Sequence, residues 1–294
     1  MKMTVIIPAA GIGQRFQKSQ HHPSTQSKLE MDLCGKPVFI RTLACFTGRS
    51  QVHQILLAVH PDQIETYRFK YQDTLALQAV KIIAGSTTQR WDTIRIALNH
   101  VHPATTHIAI HDAARPLASP QLITAIFQAA QHFDAVIPGL KISSTLKQIS
   151  KTTDTSPTPN TPPTTQEQAD DPIDQLLDIP SQPPNIAPWI EKTIDRSLFV
   201  QAQTPQVFKR EILIAAYQKI TDGHIDPTTI TDDACLLERT QQRVHVIDGE
   251  SSNLKITTMQ DLQIARAIEQ TNASETAKAL GEKRLFKEPP DDLF

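Results

Sequence analysis

Val5-Ile6-Ile7-Pro8-Ala9-Ala10-Gly11-Ile12-Gly13-Gln14-Arg15-Phe16 runs from a short apolar segment through two glycines to an arginine. A continuous apolar run bounded by a glycine turn reads as a buried strand. Gly11 and Gly13 let the backbone approach an anion closely, with N–H groups free to face phosphate oxygens. Arg15 adds a forked, permanent positive charge within reach of the same oxygens. A dinucleotide-binding turn would place a third glycine where Phe16 stands, and a P-loop would end in Gly-Lys-Ser/Thr. Neither pattern is present, so the stretch reads as a strand feeding a different phosphate-holding turn.

The pattern downstream alternates strand and helix. Strands are expected over Gln51 to His60, Val80 to Ala84, His107 to Ile110 and Ala135 to Pro138. Helices are expected over Val38 to Phe46, Pro61 to Gln78, Trp91 to Val101 and Pro120 to His132. Such alternation predicts an α/β fold: a Rossmann-like, doubly wound, mostly parallel sheet with helices on both faces. Ligands of these sheets sit at the carboxyl ends of the strands. The Gly11 turn, the Gly85-Ser86-Thr87-Thr88-Gln89-Arg90 turn and His111-Asp112-Ala113-Ala114-Arg115-Pro116 all fall there, so they are expected to converge on one ligand.

Further along, Gln203-Thr204-Pro205-Gln206-Val207-Phe208 is read as the start of a helical run to Ile220, with Thr204 as its N-terminal cap. Thr231 or Asp232 is expected to cap a short helix. The last strand is read over Arg243 to Ile247, and Asn253-Leu254-Lys255 leads to a helix from about Met259 to Gln270. Residues 1–271 are expected to form one domain, and 272–294 a loosely ordered tail. The domain is interrupted at about 150–189, where nine of the chain's 21 prolines fall from Pro157 to Pro188 among Thr, Ser, Gln and Asp, without glycine. Such a composition buries too little apolar surface to fold.

The chain has 294 residues, 39% of them hydrophobic and 20% charged, with a net charge of −2. That balance argues against a nucleic-acid surface, which needs clustered Lys and Arg. No apolar run approaches the roughly 20 residues of a membrane span, and the first strand starts too early for a secretory leader. Cys34, Cys45 and Cys235 form no disulfide framework or metal-ligand spacing. A cytoplasmic protein is expected. His21, His22 and His111 have no ligand-set spacing either.

Five motifs, Pro8-Ala9-Ala10-Gly11-Ile12-Gly13-Gln14-Arg15, His111 to Pro116, Thr204-Pro205-Gln206-Val207-Phe208, Thr231-Asp232-Asp233-Ala234 and Asn253-Leu254-Lys255-Ile256-Thr257, stand in the order found in the polyol-phosphate cytidylyltransferases. The chain resembles that family, and within it the branch acting on 2-C-methyl-D-erythritol 4-phosphate. The resemblance implies a nucleotidyltransferase fold with a protruding β-arm, and transfer of CMP from CTP with release of pyrophosphate in isoprenoid precursor synthesis. By the same resemblance, Arg15, Lys28 and Lys255 grip the phosphates and stabilise the transition state, and Asp112 serves the Mg²⁺–triphosphate site. Ala9, Ala10, Gly11, Gly13, Gly85 and Thr93 correspond to the nucleotide pocket. Arg115, Thr145, Arg196, Thr204, Thr231 and Lys255 correspond to the polyol-phosphate site. Lys141 to Lys147 and Lys192 to Arg196 match the two sides of the arm, through which the family forms homodimers.

The chain departs from the family in three places. Ser27-Lys28-Leu29 replaces the usual Pro-Lys-Gln, Ser144 replaces an acidic residue, and the Gly85 turn carries about one extra residue before Arg90. Alternatives are a ribitol 5-phosphate cytidylyltransferase, which tends to carry valine at Ala114, and a catalytically weak, regulatory relative.

Overall fold

The computed structural model describes residues 1–11, 16, 27–150 and 188–285, the segment 275–285 as backbone only. Gly13, Arg15, most of the Arg15-to-Lys28 loop and residues 151–187 and 286–294 lie outside the described residues.

Strand β1 (Met3–Ala9) is buried along almost its whole length, as an apolar run flanked on both faces must be. It pairs in parallel with β4 (Val52–Val59) on one side, Ile6 opposite Leu56. On the other side lies β6 (His107–Ile110), also parallel, Ile6 opposite Ile110. Strand β5 (Val80–Ala84) continues the parallel sheet beyond β4. Next to β6 comes β11 (Gln206–Lys209), antiparallel to it and to β7 (Ala135–Lys141). Two further strands, β10 (Val200–Ala202) and β12 (His245–Asp248), pair with β7. A small ladder of β2 (Asp32–Leu33) and β3 (Lys36–Pro37) precedes the first described helix.

Helices cover both faces because successive strand residues point to opposite sides. Val5 and Ile7 meet α1 (Val38–Ala44), α2 (Ile64–Leu77), α4 (Pro120–Ala129) and the start of α7 (Met259–Leu285) in one cluster. Ile6 faces α3 (Arg90–Leu98), α5 (Arg210–Thr221) and α6 (Asp233–Arg239) in the other. The mostly parallel, doubly wound α/β sheet expected from the sequence is thus present.

Three expectations need correction. Gln206–Lys209 is a strand, and the helix begins only at Arg210. Val207 and Phe208 are buried in opposite face clusters, which only an extended backbone allows. The cap reading of Thr204 falls with it; the peptide bond to Pro205 is cis. The expected cap of the helix after Thr231 is met by Asp232, whose Oδ1 accepts the Cys235 N–H at 2.8 Å. Where a loosely ordered tail was expected from residue 272, α7 continues to Leu285.

Where one domain with an arm was expected, the chain divides into two compact units, Met1–Leu140 with Gln201–Phe294, and Lys141–Val200. The second holds a hairpin of β8 (Leu146–Ile149) and β9 (Ile190–Ile194), with Leu146 opposite Ile194. The arm sides expected at Lys141 to Lys147 and Lys192 to Arg196 overlap these strands at residues 146–147 and 192–194. Ser150 N–H donates to Trp189 O at 2.9 Å and closes the hairpin at the ends of the Pro/Thr-rich insertion.

Candidate functional site

Because β4 and β6 leave β1 in opposite directions, the chain reverses its winding beside β1, and a crevice opens at the carboxyl ends of the strands. A cleft of about 520 Å³ lies there. Its walls include Pro8 to Gly11 after β1, Ser86 to Arg90 and Thr93 after β5, Asp112 to Ala114 after β6, and Lys28, Lys255 and Thr257.

Close packing selects small residues in the floor. A Cβ on Gly85 would stand 2.7 Å from the Ala10 Cβ and 3.0 Å from the Thr93 Cγ2, so no larger residue fits. Thr93 fastens the turn above it: its Oγ1 accepts the Ser86 N–H at 3.0 Å and donates to Gln89 O at 3.3 Å. Gly11 differs, since a Cβ there would meet no described atom within 4 Å and its φ is not positive. Packing against the described residues does not require glycine at that position.

Asp112 is the electrostatic centre. Its Oδ2 lies 2.9 Å from Lys255 Nζ and 3.3 Å from Arg115 Nε, and its Oδ1 lies 3.7 Å from Arg90 Nε. Burial alone would raise the carboxyl pKa, but Arg90, Lys255 and Arg115 together hold it well below the usual carboxylate range. A buried carboxylate without partners would cost several kcal/mol, which these cations offset. Arg90 is fixed from behind: its Nη1 donates to Asp233 Oδ2 at 2.7 Å. Asp233 Oδ1 accepts the Tyr217 hydroxyl at 2.6 Å. Burial, then the neighbouring Asp233, push the Tyr217 phenol far above its ordinary pKa, so it remains a donor.

Under Asp112 runs a chain of neutral hydrogen bonds. His111 Nε2–H donates to Arg115 O at 3.0 Å, so in the neutral ring Nδ1 accepts the Thr204 hydroxyl at 3.1 Å. Thr204 Oγ1 in turn accepts the Asp112 N–H at 3.1 Å. Burial lowers the His111 pKa to about 4, which keeps this tautomer in place near neutrality. Asn253 joins the same turn to the loop carrying Lys255: its Nδ2 donates to Thr204 O at 2.9 Å, and its carbonyl accepts Arg115 Nη1 at 2.7 Å.

Lys28 reaches the cleft from a tight turn, with its Nζ 3.2 Å from Ile256 O. Ser27, which stands where the family has a rigid proline, holds this turn by hydrogen bonding. Its Oγ accepts the Leu29 N–H at 3.3 Å, and its carbonyl accepts the Glu30 N–H at 2.9 Å. Leu29 is buried in the core, and its carbonyl accepts the Phe39 N–H at 3.0 Å, anchoring the turn on α1.

The fold therefore brings Ala9, Ala10, Gly11, Gly85, Thr93, Asp112, Lys28 and Lys255 to one cleft, with Arg115 and Thr204 supporting Asp112. Gly13 and Arg15 lie outside the described residues. Thr145 and Arg196 belong to the second unit and are exposed; Arg196 Nη1 donates there to Ser143 O. Thr231 is exposed ahead of α6. Sequence reasoning missed Arg90, Asp233 and Tyr217. Arg90 and Asp233 both lie in quoted stretches, but 143 residues separate them, and nothing in either stretch names the other. Among the described residues no group of three His, Cys, Asp or Glu side chains could by itself hold a metal ion, and no helix is long and apolar enough to cross a membrane.

Residues 3–162 and 182–271 match the family model of 2-C-methyl-D-erythritol 4-phosphate cytidylyltransferase. A protein of that name from Acidobacterium capsulatum is 31% identical over 265 residues, covering 90% of this chain and 96% of the relative. One from Prosthecochloris aestuarii is 31% identical over 279 residues, covering 91% and 97%. The crystal structure of 4-diphosphocytidyl-2C-methyl-D-erythritol synthase from Anaerococcus prevotii superposes with a TM-score of 0.66 at 24% identity, covering 92% of this chain and 98% of that one. The Thermus thermophilus enzyme gives 0.63 at 22% identity, covering 92% and 100%. The chain belongs to the 2-C-methyl-D-erythritol 4-phosphate cytidylyltransferase family.

Proposed function

We propose that the cleft between β1, β5 and β6 holds CTP and that its cations drive attack on the α-phosphorus. As a member of its family the protein is a nucleotidyltransferase that moves CMP from CTP to 2-C-methyl-D-erythritol 4-phosphate, in isoprenoid precursor synthesis. The observation that carries the site assignment is the gathering of Lys255, Arg115 and Arg90 on Asp112 at the cleft mouth.

In the reaction a phosphate oxygen of the polyol forms a bond to the α-phosphorus while the bond to the bridging oxygen breaks and pyrophosphate leaves. Two anions must meet, and charge grows on the transferring group, so fixed cations are the main need. Lys28 and Lys255 supply them, with Arg15 of the glycine motif as a third. The bare backbone at Gly11 and the tight Gly85–Ala10 contact leave room for ribose and base. Asp112 would hold Mg²⁺ through Oδ1, whose nearest cation, Arg90, stands beyond hydrogen-bond distance. One carboxylate with the rest of the shell from phosphates and water is how Mg²⁺ binds nucleotides, and its bound form would neutralise triphosphate charge.

Arg115, Thr204, Thr231, Thr145 and Arg196 are proposed for the polyol phosphate, the last two supplied to a neighbouring subunit. A homodimer is supported by the apolar residues that the second unit exposes, Ile149, Trp189, Ile190, Leu198, Phe199 and Val200. The setting is proposed to be cytoplasmic. Phosphorus NMR of the protein with Mg²⁺, CTP and methylerythritol phosphate tests the reaction: a new diphosphate diester and free pyrophosphate are expected, and unchanged CTP contradicts it. Sedimentation velocity tests the dimer, which a monomer at micromolar concentration would contradict.

A further inference from the structure

The Tyr217–Asp233–Arg90 chain ends on Asp112 but contributes no group to the chemistry just described. Arg90 is the one described residue whose guanidinium faces both carboxylates, with Nε 3.7 Å from Asp112 Oδ1 and Nη1 2.7 Å from Asp233 Oδ2. Asp233 is almost fully buried at the N-terminal end of α6 and takes the Tyr217 hydroxyl from α5. Gln206 on β11 fastens the same helix end: its Nε2 donates to Asp232 Oδ2 at 2.7 Å, and its Oε1 accepts the Ala234 N–H at 3.1 Å. The guanidinium is therefore held by a braced helix end, while its other edge faces the cleft.

Lys255 is held differently. About a third of its side chain is exposed, and its ammonium sits on Asp112 at the distance of a charge-assisted hydrogen bond. In the proposed reaction the ammonium turns from Asp112 to a nucleotide phosphate, and Arg115 and Arg90 then remain to hold the carboxylate in place.

We propose that Arg90 is a positioning residue that keeps Asp112 oriented while Lys255 moves from it to the phosphate, and that Asp233 and Tyr217 hold Arg90 in that pose. This rests on the cytidylyl-transfer reading above. Lysine does not substitute for Arg90, because a single ammonium lacks the fork needed to serve two carboxylates.

The test compares wild type, Arg90→Gln and the double variant Arg90→Gln/Asp233→Asn by pyrophosphate release and thermal unfolding. Arg90→Gln should lower kcat by about 30-fold, less than the roughly 100-fold or more lost with a group that meets the transition state directly, because Arg90 acts through Asp112. KM for CTP should change less than about threefold, since the base and ribose walls are untouched. Its Tm should fall by several degrees, because Asp233 is left buried and unpaired. Adding Asp233→Asn removes that buried charge, so Tm should recover while kcat stays low. Recovery of kcat together with Tm, or a single variant with near wild-type kcat, overturns the proposal and leaves Arg90 a fold-stabilising residue only. Wild-type protein that releases no pyrophosphate overturns the reaction reading and this inference with it.

Discussion

The Lys255 ammonium lies 2.9 Å from Asp112 Oδ2, and the two residues come from loops 143 positions apart that the sheet brings to one crevice. The proposed reaction asks this carboxylate to serve Mg²⁺ and this ammonium to serve a phosphate, so on that reading charge is redistributed among groups already present.

Lys255→Met removes a cation from the proposed transition state but leaves Asp112 with Arg115 and Arg90. Turnover should fall by about 100-fold, within the range for loss of one oriented charge. Thermal unfolding should shift little, since the side chain is partly exposed. Steady-state kinetics beside a melting curve checks both; a large Tm loss with intact kcat would invert the assignment.

Asp112→Asn leaves Lys255 and Arg115 without the carboxylate they share, and Arg90 with Asp233 alone. Destabilisation of about 3–5 kcal/mol is expected from breaking a buried ion cluster. The gain in CTP affinity on adding Mg²⁺ should shrink in the same variant. Urea denaturation and calorimetric CTP titration with and without Mg²⁺ read these two effects, and an unchanged Mg²⁺ dependence would remove Asp112 from the metal site.

His111 makes stability depend on pH in a defined window. Its folded pKa, about 4, lies below its ordinary value of 6.5, so the unfolded chain binds the proton more readily. The native state keeps the full contribution above pH 6.5 and loses it as pH falls toward 4. The loss amounts to roughly 3 kcal/mol by linkage. Comparing urea midpoints of wild type and His111→Gln across that range isolates the effect. The variant should show the flatter profile, and parallel profiles would contradict the neutral, buried imidazole.

Deleting Thr153 to Pro184 should preserve the fold and turnover. The hairpin closes on its own through the Ser150–Trp189 hydrogen bond and the β8–β9 pairing, neither of which needs the deleted segment. Circular dichroism and pyrophosphate release check this, and loss of soluble protein would contradict it.

The sheet was legible because its strands obey local rules: an unbroken apolar run for β1, and Val80–Ala84 and His107–Ile110 at their expected bounds. β11 was not, since Thr-Pro before an amphipathic run mimics a helix start. Its strand character comes from insertion between β6 and β7, a tertiary fact. The cleft residues were legible through motifs at strand ends. The support beneath them was not, because Arg90 finds Asp233, and His111 finds Thr204, only across long sequence distances. At Ser27 the departure from the family pattern was legible but its replacement was not: a hydroxyl hydrogen bond to the Leu29 N–H spans the turn.

The most direct test of the account is pyrophosphate release by the purified protein with Mg²⁺ and CTP, comparing 2-C-methyl-D-erythritol 4-phosphate with ribitol 5-phosphate. Turnover with the first and none with the second is the predicted result. Turnover with ribitol 5-phosphate alone, or with neither, would contradict it.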